Sequence, residues 1–437
     1  MTITVPQSRL ILKTVMSSLR NNLAFADLID WETHSDEMND RNGFVVSEQV
    51  GPEFTITEST GAVTDLSGGV QSTAFGAQTF TLNKVFGLSM GASDIESVTD
   101  LGSARKARAL QNGIARLATK VDYHIADVAM RAFPWSTGAP GTGIVDPEEV
   151  AEARTRLALI GCESDNGISG VMTHTDRQKL AKYLYNDNAS LASEGSRAMR
   201  RGFSGMIDGI PMKATNQLAR LTTGSRTNAA INGAAQDVTY VSAADSGTVA
   251  GNYLTQTLVI DDCGNAGTIK AGEVFTIAGV NAWDPEIGQS RGFLQQFTVI
   301  SDVTASADAA GDATITIFPA MVVQTGAVGV DNSHATVDAA PADDAVVTFI
   351  GSASTVYTPR LMFKKDSIVA HSAQLVLPYT GQGYRRGLAD AERDNIAPLM
   401  PRLWFYSDPA TGAHNARIDL FMQAQARNRW TGVKFFG

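Results

Sequence analysis

Residues 103–133 read SARKARALQNGIARLATKVDYHIADVAMRAF, and this stretch decides the fold. Its apolar side chains fall at Leu110, Ile114, Leu117, Val121, Ile125, Val128 and Ala132. Steps of four and three put them along one stripe of a helix. Ser103 can cap the start, and Pro134 ends the helix just after Phe133. About 30 residues at 1.5 Å each make a rod of roughly 45 Å. Leu110, Ile114, Leu117, Val121, Ile125 and Val128 are therefore expected to form the core-facing side of a long spine helix.

The flanks have other textures. Residues 9–18 and 23–31 carry short helical signals separated by polar breaks. From 42 to 90 helical periodicity is weak: Phe44, Val46, Phe54 and Ile56, then Phe80, Leu82, Val85 and Phe86, flank a tip rich in Gly, Ser and Thr. That is a long hairpin pattern. A hairpin of this length cannot bury both faces against itself, so it needs a partner surface. After the spine, 146–160 opens as Asp-Pro-Glu-Glu, with Asp146 as cap, Pro147 in the first turn and acids favouring the dipole. A short strand over 170–174 and a helix over 176–185 follow. Two strand-like runs, 401–407 and 416–426, close the chain across an Asp-Pro-Ala-Thr-Gly turn.

The 437 residues include 35 Lys+Arg and 45 Asp+Glu, a formal charge of −10, with 18% charged residues, 43% apolar and 40 Gly. This is an ordered, turn-rich composition, large enough to bury a substantial core. The charge is concentrated in one region. Residues 222–348 hold 14 acids against Arg226, Lys270 and Arg291, so the rest of the chain is within one charge of neutral. The acidic region is rich in Thr, Val, Ala, Gly and Asp. It reads as strands over 253–260, 273–280, 293–301, 313–318 and 345–350, each bounded by turn residues. We read 222–348 as an all-β module set into a near-neutral α+β host, its core built from Val274, Phe275, Ile277, Phe297, Val299, Ile315 and Ile317.

Motifs for chemistry are sparse. HExxH and GxxxxGK[ST] are missing, and the glycine-rich run 138–143 lacks a lysine and follows a helix. The six histidines are scattered without an i, i+4 pair. Asp261-Asp262 and Asp343-Asp344 lack the spacing of an oxygen-ligand loop. Cys162 and Cys263 are too far apart in sequence for a CxxC site. Basic residues cluster modestly at 105–108, 197–201 and 385–386, and the acidic balance argues against a general nucleic-acid binder. No apolar run reaches the roughly 18–20 residues that span a bilayer. The first twenty residues lack a signal-peptide pattern, so synthesis in the cytoplasm is expected. No enzyme, cofactor, metal or membrane partner is expected.

The order of elements resembles the major capsid protein of tailed double-stranded-DNA phages, the HK97-type fold. More narrowly it resembles coat proteins of short-tailed phages that carry an inserted β domain. Three stretches carry the resemblance. In the insert they are 271–280 (AGEVFTIAGV), 294–299 (LQQFTV) and 311–320 (GDATITIFPA). Before it stands 202–211 (GFSGMIDGIP), and after it 361–369 (LMFKKDSIV) with 375–378. Some members of the wider fold cross-link neighbours through a hairpin lysine. Here Lys84 is the hairpin's one lysine and sits near its base, so no cross-link is expected.

The resemblance implies an N-terminal arm over 1–41, an extended hairpin with peripheral strands over 42–95, and a spine helix over 96–140. A core domain would fill 141–221, the acidic barrel-like insert 222–348, and the core return with closing peripheral strands 349–437. It implies a shell of pentamers and hexamers around packaged double-stranded DNA, without sequence-specific binding. A scaffolding protein and a portal would assist assembly in the host cytoplasm, and the product would be the virion capsid. Phe25, Ile29, Trp31, Phe44, Phe54, Ile56 and Phe80 are then expected at subunit interfaces. Obligate interfaces of that kind bury roughly 2,000–5,000 Å² and are apolar at their centres. A β-rich adhesin or fibre would also suit the acidic Thr/Ala/Gly segment, though the long striped helix weighs against it. A protein-cargo shell of the same fold usually lacks a large insert.

Overall fold

In the computed structural model the strand His414–Ala426 is covered on both faces, and two of the chain's layers are organised by it. The structure describes residues 15, 23–25, 27–34, 45–50, 76–90, 104–162, 167–187, 206–240, 248–250, 254–284, 287–308, 310–324, 334–373, 389–391, 399–407 and 414–437. Successive strand side chains point to opposite faces. Ile418, Leu420, Met422 and Ala424 accordingly enter one apolar cluster with helix α1 (Ala104–Ala132). Phe421 enters a second, with Val46, Phe80, Leu82 and Val369. On α1, Ile114, Val121 and Ile125 are fully buried, Leu117 is buried and Val128 half-buried; the side chain of Leu110 lies outside the described residues.

Around this strand the sheet runs Asp30–His34, Ile368–Ala373, His414–Ala426, Pro401–Ser407, Ala389–Ala391, with Val85–Met90 also paired to the long strand. Val45–Val50 and Gly76–Thr81 form an antiparallel ladder, the base of the expected hairpin. Two expectations change here. Val85 and Phe86 do not continue that hairpin: the chain turns at Leu82–Lys84, and the next strand pairs with His414–Ala426. Residues 23–31 are not helical, because Asp27–Ile29 make a turn and Asp30–His34 joins the sheet edge in parallel with Val369–Ala373. Their apolar spacing suits a helix, but the backbone groups of 30–34 are satisfied by a sheet edge instead.

A second sheet runs Trp135–Thr137, Gly432–Phe435, Arg360–Lys364, Ile168–Met172, Ile210–Ala214, Met206–Ile207. Helix α2 (Glu148–Leu159) buries Val150, Ala153 and Leu157 against it, and α3 (His174–Asp187) adds Leu180. The start of α3 is a reciprocal cap: Asp176 N–H donates to Thr173 Oγ1 and Thr173 N–H to Asp176 Oδ2, each at 3.2 Å. Burial alone would push the Asp176 carboxyl up. A bidentate Arg360 at 2.7 Å and the Thr173 bonds hold it below its ordinary value instead. The glycine-rich run after α1 serves packing: a Cβ on Gly138 (φ +76°) would lie 2.5 Å from the Phe436 carbonyl oxygen.

The third sheet runs Ala230–Ile231, Gln256–Asp261, Ala313–Phe318, Gln289–Val299, Val274–Asp284, Val347–Phe349. Its ends meet. Ile231 N–H donates to Ala345 O at 3.0 Å and Val347 N–H to Ala229 O at 2.9 Å, closing six strands into a barrel. Phe275, Ile277, Phe297, Val299, Ile315 and Ile317 are fully buried in its own apolar cluster; Val274 is buried outside that cluster. The chain enters and leaves side by side, Leu221–Thr222 pairing with Val356–Tyr357.

The arm is pinned to α1 by Asp122, a residue 1% exposed. Its carboxylate accepts the backbone N–H of Ala24 at 2.7 Å and of Phe25 at 3.2 Å. Burial pushes its pKa up to about 6 despite these bonds and the nearby Lys213. The folded chain thus holds this proton more tightly than the unfolded one, and the Asp122 contribution to stability grows as pH falls from 7 towards 4. Relative to Asp122→Asn, the wild type should gain up to roughly 3 kcal/mol across that window. Urea unfolding of both chains at pH 7, 6, 5 and 4 measures this, and parallel curves would refute it. Val121→Asp, one residue away, puts an unpaired charge into the apolar stripe, at a cost of several kcal/mol. Circular dichroism and solubility should show no folded subunit.

Candidate functional site

Barrel and core meet along an aromatic seam framed by buried polar groups. Trp135 lies edge-on to Phe293 of the barrel, with ring centroids 6.4 Å apart, and Trp430 lies edge-on to Phe318 at 5.4 Å. Arg156 of α2 covers the Phe293 ring at 4.4 Å. Apolar rings tolerate sliding, whereas the bonds beside them are directional. Ser136 N–H donates to Gln296 Oε1 at 2.7 Å, and Gln296 Nε2 donates to Ser136 O at 3.0 Å. One barrel side chain thereby satisfies both backbone groups of a sheet-edge residue.

Glu273 organises the other side of the seam. Its carboxylate pairs with Arg226 and accepts Gly224 N–H at 2.6 Å and Lys270 N–H at 2.8 Å. Burial raises the Glu273 pKa, with Arg226 opposing, and burial lowers that of Arg226, with Glu273 opposing. Both side chains are nearly inaccessible, so each is the other's counter-ion in place of water. The Arg226 guanidinium also stacks on Phe349 at 3.7 Å. Gly224 is required there, because a Cβ would fall 1.8 Å from the Thr268 carbonyl oxygen. From the core, Lys434 donates to the Gly272 carbonyl at 2.8 Å; its burial lowers its pKa to about 7, with Glu273 opposing.

A second polar centre ties arm and hairpin base to the sheet. Arg427 Nε donates to Glu48 Oε2 at 3.0 Å, and its guanidinium also meets Glu32 and, at 3.6 Å, Asp30. The side chain therefore joins strands Val45–Val50 and Asp30–His34 to the end of His414–Ala426. Lys84, in the turn after the hairpin base, lies 3.1 Å from His124 Nδ1 on α1.

Residues expected at subunit interfaces divide between places. Phe25, Ile29 and Phe80 are at most 1% exposed within the chain's own clusters, and Trp31 is half-buried against α1's cluster. For Phe25, Ile29 and Phe80 the covering face is intramolecular, which removes them from the expected interface set, whereas half-buried Trp31 keeps surface open. Phe44, Phe54 and Ile56 lie outside the described residues. Sequence reading missed the junction residues Gln296, Glu273, Arg226 and Lys434. The single sequence signal was Arg226, one of three bases in an acidic module.

The family model for "P22 coat protein - gene protein 5" matches residues 6–437. The chain belongs to this family. No curated relative matches it in sequence. Among solved structures, it is similar to a chain of Mycobacterium phage Che8 at 12% identity, covering 94% of this chain and 90% of that one, with TM-score 0.41. A capsid chain of the cyanophage P-SCSP1u is 10% identical, covering 94% and 87%, with TM-score 0.42. The capsid of an empty GTA particle is 10% identical, covering 95% and 97%, with TM-score 0.40. The coat protein is thus a structural protein of a phage shell, the major capsid protein, and not an enzyme. Family membership sets aside the adhesin and cargo-shell readings.

In this coat protein Glu273→Gln should strand the buried Arg226 charge and cost about 3–5 kcal/mol. Replacing both partners, Arg226→Met with Glu273→Gln, should recover most of that. Urea midpoints of the two singles and the double close the cycle. A double as unstable as the single would mean that the backbone bonds to Glu273, and not the ion pair, carry the effect.

Proposed function

We propose that this coat protein builds its shell as an HK97-type subunit, repeated in pentamers and hexamers around packaged double-stranded DNA. The observation carrying the reading is the coat-protein family match over residues 6–437. Three described features support the subunit anatomy. A 29-residue helix backs a thirteen-residue strand. A hairpin base, Val45–Val50 paired with Gly76–Thr81, packs on the sheet through Val46 and Phe80. A barrel departs and returns on adjacent strands.

In this reading 1–41 is the arm, 42–95 the hairpin and peripheral strands, and 96–140 the spine. Residues 141–221 and 349–437 make the core, and 222–348 the inserted domain. Trp135–Thr137 then passes from the spine segment into the core sheet. Hairpin residues Phe44, Phe54 and Ile56 would meet a neighbouring subunit. Assembly in the host cytoplasm would draw on a scaffolding protein and a portal, and the shell would hold DNA without reading its sequence.

Electron microscopy of the purified chain, with and without a co-expressed scaffolding partner, tests this. Closed shells are expected, and small soluble species alone would refute it. Deleting 225–345 removes the barrel's apolar cluster and exposes its seam with the core, so the remaining host should lose solubility or assembly control. Normal shells from the deletion would show the barrel to be dispensable.

A further inference from the structure

Helix α1 has a second side that its packing does not use. At about 100° per residue, Asn112, Arg116, Lys120 and Tyr123 lie on one arc, opposite the buried stripe of Ile114, Val121 and Ile125. All four are exposed. Arg116 and Lys120 make no hydrogen bond or ion pair among the described residues. The row continues in the sequence, where Arg105 and Arg108 fall on the same arc and Lys106 at its border. From Ala104 to Val121 the helix carries five bases and no acid. Farther on, Asp127 and Arg131 pair at 2.9 Å and close the row.

This distribution works against the helix itself. The positive end of a helix dipole favours acids, yet the first turn holds none and bases stand at 105, 106 and 108. Like charges four residues apart, as at Arg116 and Lys120, repel each other. A face serving solubility alone would mix its signs. A face that breaks the local rules and has no internal partner is completed by an anion from outside.

Arg105 to Lys120 spans about 22 Å of helix axis, so the anion must be negative over that length. Duplex DNA is, with roughly one phosphate charge per 1.7 Å of its axis. Arginine, lysine, asparagine and tyrosine side chains all donate to phosphate oxygens. The acidic surface that this chain itself offers fits less well. The barrel uses Asp302, Asp308, Asp338 and Asp343 to accept its own backbone N–H groups. It also meets α1 at the other end, where a Cβ on Gly272 would lie 3.2 Å from Arg131 Cα. We propose that the exposed side of α1, from Arg105 to Tyr123, is the face on which the subunit meets the phosphate backbone of enclosed duplex DNA. This rests on the assembly reading above and adds to it which side of the subunit lines the interior. Phosphate contacts carry no base sequence, as storage without readout requires.

Lys120 reports directly on this face. DNA-filled shells and shells emptied of DNA are treated with a small amine-acylating reagent, and the modified lysines are quantified by mass spectrometry. Lys120 should react about fivefold more slowly in filled shells at low salt, and the difference should shrink as salt rises. Lys270, on the barrel, should react alike in both. Arg116→Gln changes an exposed residue without a partner, so it should leave thermal melting of the subunit unchanged while narrowing the difference at Lys120. Equally fast labelling of Lys120 in filled and empty shells overturns the DNA face. Equal protection in both overturns it too, because protein would then be the occupant; either result leaves the assembly reading standing. A chain that forms no shells overturns the assembly reading and this face with it.

Discussion

The buried carboxylate of Glu273 is where three distant stretches of chain meet. It holds the entry into the barrel through Gly224 and Arg226, and the turn before its own strand through Lys270. It also faces the last strand of the core through Lys434, whose ammonium reaches the neighbouring Gly272 carbonyl. Buried ion pairs contribute little net stability, since desolvation offsets much of the attraction. What they impose is direction. A seam of Trp135, Phe293, Trp430 and Phe318 alone would permit many docking angles. Glu273 on one side and Gln296 on the other allow one. The orientation of the barrel therefore depends on a few polar groups, while its attachment depends on the rings.

The same division of labour recurs at the long strand His414–Ala426. Burial on both faces supplies the energy: α1 covers one, the hairpin base the other. Registry comes from polar pins. Asp122 fixes the arm against α1, and Arg427 joins arm strand, hairpin base and sheet. Asp419, fully buried on this strand, sits between Arg402 at 2.7 Å and Arg417 at 2.5 Å. A subunit built this way holds its extended parts from within before any neighbour arrives.

This explains which features were legible in the sequence. The α1 stripe and the barrel strands follow from periodicity, because burial on one face leaves a period of 3.6 or 2. The partner of an apolar residue leaves no such trace. Phe25, Ile29 and Phe80 have the composition of an interface, yet they complete the chain's own core, since pattern records that a face is covered and not by which chain. Residues 23–31 carry a helical spacing, yet a turn at 27–29 and a sheet edge beside Val369 for 30–34 decide the conformation. The junction was invisible for a different reason. Glu273, Arg226 and Lys434 are ordinary charged residues until folding brings positions up to about two hundred residues apart within bonding distance, and no local spacing encodes that. Gln296 pairs with a backbone, which has no sequence signature at all.

The charge asymmetry acquires a structural cause. An all-β module has many turns, and each turn leaves backbone N–H groups in need of acceptors. In the barrel several of those acceptors are aspartates: Asp302 for Ala271, Asp308 for Gly311 and Asp343 for Gly233, with Asp338 serving Asn281 where its strand's register shifts, all at 2.7–2.8 Å. Lysine and arginine cannot accept, so the turns exclude bases where they recruit acids. Backbone bonds from Ala271 and Gly311 hold Asp302 and Asp308 below the ordinary carboxylate range. Asp261 shows the opposing cost. Burial, followed by Asp262, Asp344 and Asp312, raises its pKa, as like charges crowd one end of the barrel. The module's negative field is thus a by-product of how its turns are satisfied. Such a field repels phosphate, so in the proposed shell the near-neutral host is the part suited to lie towards DNA, and the barrel the part suited to lie away from it.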